Sequence, residues 1–408
     1  MKCRGCATPL AFPLIDLGTA PPSNAYITEE QLGQSEQWVP LKVQVCQACW
    51  LVQTEDYTSA ESLFDADYAY FSSYSSTWLA HAERYVAKMV ERFGLTTQSR
   101  VVEIAANDGY LLQYVAQRGI ACLGIEPTHS TALAAREKGL DIREMFFGQT
   151  AAAQLLAQGW AADLMAANNV LAHVPDINDF LSGFALLLKP SGVATFEFPH
   201  LLTLMAGAQF DTLYHEHYSY LSLTAVQLLC ERNGLEVFDV SELPTHGGSL
   251  RVFVQRADGT RRALEPAVQQ VLDIELSSGM KTREFYSTLA PAAEQIKHDL
   301  LRFLLQAKAD GKRVVGYGAA AKGNTLLNYA GVKPDLLAWV ADANPHKQGR
   351  FLPGSRIPVV APERLAIEKP DYVLILPWNL LSEVSEQQAH VREWGGQFVI
   401  AVPKLIVL

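Results

Sequence analysis

The stretch "RVVEIAANDGYLLQYVAQRG", residues 100–119, begins with an apolar run typical of a buried strand, passes through a turn of small residues and ends in a helical pattern. The acidic Glu103 stands at the end of the predicted strand, and Gly109 lies in the turn before the helix. A turn of this kind lets a ligand approach the backbone and the N-terminus of the helix. The stretch therefore predicts the first strand–turn–helix unit of a nucleotide-binding sheet.

Further units of the same kind follow along the chain. "ACLGIEPTHSTALAAREKG" (121–139) repeats the strand–helix pattern, and "ADLMAANNVLAHVPD" (162–176) and "GVATFEFPH" (192–200) supply later strands. Strands that alternate with helices predict an α/β fold with a doubly wound parallel sheet. Glu126 ends the second predicted strand, where a carboxylate can hold both hydroxyls of a ribose.

A second Gly-rich turn, "GYGAAAKG" (316–323), starts another strand–turn–helix unit near the C-terminus, with Lys322 at the mouth of its helix. Asp342 ends the strand that follows, so spacing alone would also allow a dinucleotide site. Together with a cysteine-rich start, the pattern predicts three domains, over residues 1–65, 66–244 and 245–408.

Four of the six cysteines form two Cys-x-x-Cys pairs, "CRGC" and "CQAC", made by Cys3, Cys6, Cys46 and Cys49. Two such knuckles complete a tetrahedral zinc site, whereas disulfides are rare where thiols stay reduced. Because four cysteines leave no open position, we expect a structural zinc ion.

The composition of the chain argues against several classes of function. The 408 residues carry a net charge of −10, which argues against a nucleic-acid surface. No apolar run approaches the roughly 20 residues of a membrane span, and the start "MKCRGC" lacks the apolar core of a secretory signal. We expect a cytoplasmic protein that acts on a small molecule without a membrane or nucleic-acid partner; its oligomeric state is open.

The stretch "DTLYHEHYSYLS" (211–222) gathers proton-handling side chains. Histidine has a pKa near 6.5 and suits general-base catalysis at neutral pH. On residue pattern alone the geometry is open, because His215 and His217 share a face in a strand, while Tyr214 and His217 share one in a helix.

Six motifs taken in order resemble the sugar-nucleotide C-methyltransferases of deoxysugar biosynthesis. They are "EIAANDGYLL", "ANNVLAHVPD", "YHEHYSYLS", "THGGSLRVFV", "GYGAAAKGNTLLNY" and "KQGRFLPGSRIPV". The domain order of this family, a zinc module, a class I methyltransferase domain and a C-terminal Rossmann-like domain, also matches. The resemblance covers essentially the whole chain and implies methyl transfer from S-adenosylmethionine to the carbon beside the ketone of an NDP-4-keto-deoxysugar, dTDP-linked and at C3 or C5.

The resemblance also implies a set of site residues. S-adenosylmethionine would be held by Glu103, Ala105, Asn107, Gly109, Glu126 and Asn168, with Ala105 and Asn107 replacing two glycines of the usual class I motif. His217 would be the base that makes an enolate, with Tyr214 and His173 at its oxygen and Glu216 orienting an imidazole or holding a sugar hydroxyl. Tyr68 would reach the site from the segment "DYAYFSSYSS", and Lys322 and Asn324 would hold the diphosphate of the substrate.

Three alternatives differ in their chemistry. An O- or N-methyltransferase would use the same cofactor without needing a carbon base. A non-catalytic sugar-nucleotide-binding protein would not need the Tyr214–Glu216–His217 cluster. An NAD-dependent oxidoreductase would use the second Gly-rich turn as its dinucleotide site.

Overall fold

The computed structural model describes residues 1–57 and 71–408, which form three β-sheets. The first sheet is antiparallel and begins with three N-terminal strands: β1 Phe12–Ala20, β2 Val39–Val45 and β3 Val52–Thr54. Alternate residues of β2 are buried, as expected of a strand with one face on a core. The two cysteine knuckles precede β1 and follow β2.

The central sheet has seven strands in the order β6–β5–β4–β7–β8–β11–β10. They are β4 Arg100–Ile104, β5 Ala121–Ile125, β6 Ile142–Arg143, β7 Ala162–Asn168, β8 Leu188–Pro199, β10 Leu235–Leu243 and β11 Ser249–Arg256. Strands β4 to β8 run parallel, and β11 is antiparallel to both of its neighbours. The predicted α/β class is confirmed, and the carboxyl ends of the parallel strands meet at one edge, where such sheets bind ligands.

Helices cover both faces of this sheet. They are α1 Ser76–Phe93, α2 Leu112–Ala116, α3 His129–Glu137, α4 Gln149–Ala157, α5 Ile177–Leu187, α6 Leu201–Ala206, α7 Leu223–Arg232 and α8 Pro266–Ser277. α1 is amphipathic: it is capped by the Ser75 hydroxyl and ends at Gly94 in the left-handed conformation.

The hairpin after residue 245 belongs to the central sheet rather than to the third domain. β11 pairs along its length with β8 and β10, so a boundary at 245 cuts through the sheet. Val268 and Val271 of α8 also pack in the central core. Local sequence patterns carry no information about which sheet such a strand joins.

The short strand β9, Ser219–Tyr220, leaves the central domain and pairs with β3 as the fourth strand of the N-terminal sheet. It lies within the stretch 211–222, two residues after His217. The zinc-bearing module therefore buttresses the segment that carries Tyr214 and His217.

The C-terminal sheet has the order β14–β13–β12–β15–β16–β17, in which only the last strand is antiparallel. Its strands are β12 Val314–Tyr317, β13 Val340–Ala341, β14 Val359–Val360, β15 Tyr372–Ile375, β16 Gln397–Ile400 and β17 Ile406–Val407. The helices of this part are α9 Arg283–Tyr286, α10 Leu289–Ala309, α11 Ala321–Ala330, α12 Arg364–Glu368 and α13 Leu381–Gln387. This is the predicted second Rossmann-like arrangement.

The N-terminal and C-terminal parts share one hydrophobic core. Leu41 and Val43 of β2 lie in the same cluster as Leu300 of α10 and Leu326 of α11. Among the described residues, no helix has the length and apolar character needed to cross a membrane.

Candidate active site and zinc centre

The turn after β4 adopts the backbone conformation that the sequence predicts for a cofactor loop. Ala105, Asn107 and Gly109 all have positive φ, at 55°, 49° and 77°. The positive φ favours glycine at 109, and a Cβ there would also lie 2.3 Å from Leu140 Cδ1 and 3.3 Å from Ala135 Cβ. Asn107 Oδ1 accepts a hydrogen bond from the Ser72 backbone at 2.9 Å, which ties the turn to the segment before α1.

Buried polar atoms with no protein partner mark the ligand-binding edge. Both carboxylate oxygens of Glu103 and both side-chain amide atoms of Asn168 lack a hydrogen-bond partner among the described residues. Burial raises the pKa of Glu103 well above its usual range, although the nearby Tyr110 hydroxyl opposes that shift. Such groups are costly unless a ligand satisfies them, so the residues fit a polar cofactor at this edge.

Glu126 lies at the end of β5, as predicted, but its carboxylate already has contacts in the protein. It accepts hydrogen bonds from the backbone of Asn107 and of Thr128, each at 2.9 Å. Each oxygen keeps a further lone pair, so Glu126 can hold the β4 turn and still accept from ribose hydroxyls.

The catalytic stretch places Tyr214 and His217 in direct contact. The Tyr214 hydroxyl lies 2.7 Å from His217 Nε2, and His217 Nδ1 lies 3.0 Å from the carbonyl oxygen of Thr212. Since a carbonyl can only accept, Nδ1 carries the proton and Nε2 accepts from the tyrosine. Burial lowers the pKa of His217 well below its usual value, so the ring is a neutral base at neutral pH.

His173, in a turn after β7, stands against the same cluster. Its ring centre lies 4.6 Å from that of His217, and its Nδ1 donates to the backbone oxygen of Glu216 at 2.7 Å. Burial lowers the pKa of His173 to about 4. A neutral His173 with its proton on Nδ1 offers only a lone pair at Nε2, so this tautomer cannot donate to an enolate oxygen as expected from the sequence.

The carboxylate of Glu216 does not contact either of these imidazoles. Its Oε1 accepts from the backbone and the side chain of Asn24, both at 3.1 Å. Burial raises the pKa of Glu216, and Oε2 has no partner among the described residues. The orienting contact to His173 comes from the Glu216 backbone instead, which the sequence could not reveal.

His215 points away from this cluster. Its Nε2 lies 3.2 Å and 3.3 Å from the carbonyl oxygens of Val39 and Pro40 in β2. These contacts tie His215 to β2. Tyr68 lies outside the described residues.

Lys322, at the start of α11, faces the same region from the C-terminal domain. Its Nζ donates to Asn379 Oδ1 at 2.7 Å and lies 4.5 Å from the centre of the Trp378 ring. Burial lowers the pKa of Lys322, while the nearby Asp211 carboxylate opposes that shift. The positive charge of Lys322 in turn helps to lower the pKa of His217, after burial and His173, so the two groups share one interior.

Asn324, two residues further along α11, has a structural contact. It is buried, and its Nδ2 donates to the Ser23 carbonyl at 2.6 Å. Its Oδ1 has no partner in the described part of the chain. Asn324 thus joins the C-terminal domain to the N-terminal segment that also holds Glu216.

Residues from other parts of the chain contact the backbone of the second Gly-rich turn, residues 316–323. The Ala319 carbonyl accepts from the Tyr26 hydroxyl and from Lys347 Nζ, and its N–H donates to Asp342 at 2.7 Å. A Cβ at Gly318 would lie 2.4 Å from the ring of Pro377. The glycine is needed for this packing, and the backbone of the turn is held by contacts within the protein.

Sequence reasoning missed several polar residues beside the site. His246 Nε2 lies 3.1 Å from Asn169 Nδ2, and Glu197 lies against His81 and Arg251. Burial works to raise the pKa of Glu197, yet contacts from His81 and Arg251 bring it to about 2. The "THGG" motif, residues 245–248, could have drawn attention to His246, because two glycines after a histidine indicate a strained turn.

The four knuckle cysteines gather into one cluster, as predicted. Their sulfur atoms all lie within 4.8 Å of one another, and the Cys3–Cys49 and Cys6–Cys46 pairs are 3.5 Å apart. A tetrahedral zinc ion with bonds of about 2.3 Å holds its sulfurs about 3.8 Å apart, so the donor set fits zinc. After each knuckle, Ala7 and Trp50 adopt positive φ and donate back to the carbonyls of Cys3 and Cys46.

Three family models match successive parts of the chain. "Putative zinc binding domain" matches residues 3–64, "Methyltransferase domain" residues 78–240, and "C-methyltransferase C-terminal domain" residues 244–403. With the seven-stranded sheet and its unsatisfied polar edge, these matches define an S-adenosylmethionine-dependent methyltransferase with a structural zinc site.

A similar protein shows which kind of methyltransferase this chain is. C-methyltransferase NovU from Streptomyces niveus is 34% identical over 403 residues, which cover 99% of this chain and 96% of NovU. The chain belongs to the C-methyltransferase family, and its reaction is the transfer of a methyl group to carbon.

Solved structures also match the chain in part. Magnesium protoporphyrin IX methyltransferase from Synechocystis PCC 6803 with bound SAM is 17% identical, with 44% of this chain and 79% of that chain covered and a TM-score of 0.34. The PH0226 protein from Pyrococcus horikoshii OT3 is 13% identical, with 49% and 100% covered and a TM-score of 0.37.

Proposed function

We propose that the protein methylates the carbon beside the ketone of an NDP-4-keto-deoxysugar. The observation that carries this proposal is the neutral Tyr214–His217 pair in the same interior as Lys322. A ketone makes the neighbouring C–H acidic, and a neutral imidazole is matched to removing its proton. An ammonium group at a helix N-terminus suits a diphosphate.

The ligand edge of the central sheet would hold the methyl donor. Glu103 and Asn168 offer unsatisfied polar atoms there, and Glu126 offers free lone pairs for ribose hydroxyls. When bound, S-adenosylmethionine supplies an electrophilic methyl group. The remaining chemistry, proton removal and control of charge on the substrate oxygen, falls to side chains of this chain.

In the proposed sequence, the Tyr214 hydroxyl turns from His217 Nε2 to the ketone oxygen of the substrate. Nε2 is then free to take the α-proton, and the electron pair of the C–H bond moves into an enolate. The new carbon–carbon bond forms as the methyl–sulfur bond breaks, and His217 later loses its proton to solvent. His173 acts through its Nε2 lone pair as an acceptor, for example from a hydroxyl.

A direct test is incubation of the protein with methyl-labelled cofactor and a panel of NDP-4-keto-deoxysugars, followed by carbon NMR of the products. The proposal expects the label on a ring carbon adjacent to C4. Label on oxygen or nitrogen would refute the carbon-base mechanism, and absence of label from every sugar nucleotide would refute the substrate class.

A further inference from the structure

The imidazole rings around the site differ in which ring nitrogen has a proton available for a hydrogen bond to a ligand. His217 gives its Nδ1 proton to Thr212, and His173 gives its own to Glu216. Both rings are neutral because burial lowers their pKa, so Nε2 of each ring carries no proton and cannot donate. An enolate oxygen, by contrast, needs hydrogen-bond donors. The two predicted histidines cannot supply them in these tautomers.

His246 has the opposite arrangement. Its Nε2 lies 3.1 Å from Asn169 Nδ2, and an amide nitrogen can only donate. Nε2 therefore accepts, and the proton of the neutral ring sits on Nδ1. No described residue accepts a hydrogen bond from this Nδ1–H, so it remains available to a ligand.

The backbone around His246 is strained in a way that fixes the ring. His246 has φ 54° and Asn169 has φ 57°, so both partners of this hydrogen bond are in the left-handed region. Non-glycine residues in this region cluster at functional sites, where surrounding contacts hold them. Here the Trp78 ring packs edge-on against His246 at 5.2 Å, and Gln209 Nε2 donates to the Gly247 carbonyl.

His246 also lies in the same part of the protein as Lys322 and His217. Burial and the charge of Lys322 lower the pKa of His246 to about 4, and His246 in turn contributes to the lowered pKa of His217. Asn169 directly follows Asn168 at the carboxyl end of β7, which is the ligand edge. His246 is therefore near enough to Lys322 for its own pKa to respond to that charge, and near enough to His217 to affect the pKa of that ring.

We propose that His246 is a catalytic residue that donates its Nδ1–H to the enolate oxygen beside the Tyr214 hydroxyl. The two donors share the negative charge that develops when His217 takes the α-proton. This inference rests on the proposed function and assigns the second donor that its enolate requires.

Two variants of the full-length protein test the assignment. Glycine tolerates the left-handed backbone, so His246→Gly removes the donor without adding strain. Asparagine also tolerates this conformation, and its amide nitrogen lies near the position of Nδ1, so His246→Asn keeps a donor. Initial rates with a sugar nucleotide that the wild type methylates give kcat and KM, calorimetry gives the cofactor Kd, and thermal melting gives Tm.

We expect His246→Gly to lose about 10²- to 10³-fold in kcat, the usual effect of removing one oxyanion donor. The KM for the sugar nucleotide, the cofactor Kd and Tm should stay near the wild-type values, and His246→Asn should recover most of the kcat. Unchanged kcat in His246→Gly, a rise in KM in place of the kcat loss, or a joint loss of Tm and cofactor affinity would overturn the assignment. Failure of the wild type itself to methylate any sugar nucleotide would instead refute the proposed function.

Discussion

Single buried side chains set the chemistry of this site. Burial lowers the pKa of His173 and of His246 to about 4 and that of His217 well below its ordinary value. The imidazoles are therefore neutral where free histidine would begin to take up protons. A carbon acid of the proposed kind needs such a base in its unprotonated form.

The acid limb of the pH profile should reflect this burial. We expect kcat/KM to hold its plateau through about pH 6.5 and to fall only at lower pH, because the profile reports groups of the free enzyme. Initial rates at low substrate concentration across the pH range measure it. An acid limb centred at or above about 6.5, the value for exposed histidine, would contradict a buried neutral base.

The stability of the fold should decline over the same pH range, and measuring it serves as the control. Each of these histidines binds protons more weakly folded than unfolded, so its contribution is fully present above about pH 6.5 and is lost as pH falls towards the folded value. Melting temperatures at each pH separate this loss from loss of catalysis.

The sequence could predict the residue types of the site but not all of their contacts. Tyr214 and His217 were expected together, and the structure joins them at 2.7 Å. The direction in which His173 donates depends on a backbone oxygen 43 residues away, and that contact forms only in the folded chain. The position of His246 could not be predicted, because a histidine in a sequence does not by itself indicate a left-handed backbone conformation.

At the scale of elements, the alternating strands and helices of the two Rossmann-like sheets could be predicted from local patterns. The pairing of β11 with β8 and of β9 with β3 could not, because a short strand joins whichever edge the tertiary fold offers. The pairing of β9 matters most for the site, since it attaches the catalytic stretch to the zinc module.

Helix α11 carries Lys322, the proposed ligand of the substrate diphosphate, and removal of this side chain should affect the binding of one ligand selectively. We expect Lys322→Ala to raise the KM for the sugar nucleotide about 10- to 100-fold, the effect of losing a hydrogen bond to a charged group. The cofactor Kd should not change, since Lys322 lies on the opposite domain. Steady-state kinetics and calorimetry measure the two quantities.

Lys308→Ala is a matched control, because Lys308 is exposed and pairs with Asp335 at the surface. It should leave both constants unchanged. Weaker cofactor binding with a normal KM in Lys322→Ala would mean that α11 serves another ligand.

In the whole molecule, the N-terminal zinc module contacts the proposed catalytic residues. Asn24 binds Glu216, and the Thr54 hydroxyl donates to the His217 carbonyl at 3.2 Å. So small a module buries little core of its own, and structural zinc contributes about 10–16 kcal/mol of apparent binding free energy in small domains. Metal loss should therefore disturb the catalytic stretch through its supports.

Cys46→Ser should abolish zinc binding and lower Tm and solubility, with activity lost in proportion to the unfolded fraction. Elemental analysis of the purified, reduced protein gives the metal content, and we expect one zinc ion per wild-type chain. Cys122→Ser, outside the cluster, should keep the metal. Wild-type protein without zinc, or Cys46→Ser protein that retains it, would disprove the assignment.

In the proposed mechanism, three domains enclose one site in which His217 takes a proton from carbon. Turnover of His217→Asn, compared with His215→Asn as the neighbouring structural control, tests it most directly. We predict that His217→Asn loses about 10²- to 10⁴-fold in kcat, the usual cost of removing a general base, with substrate binding kept. His215→Asn should lose stability but retain kcat in its folded fraction. Near-normal turnover by His217→Asn would contradict the account.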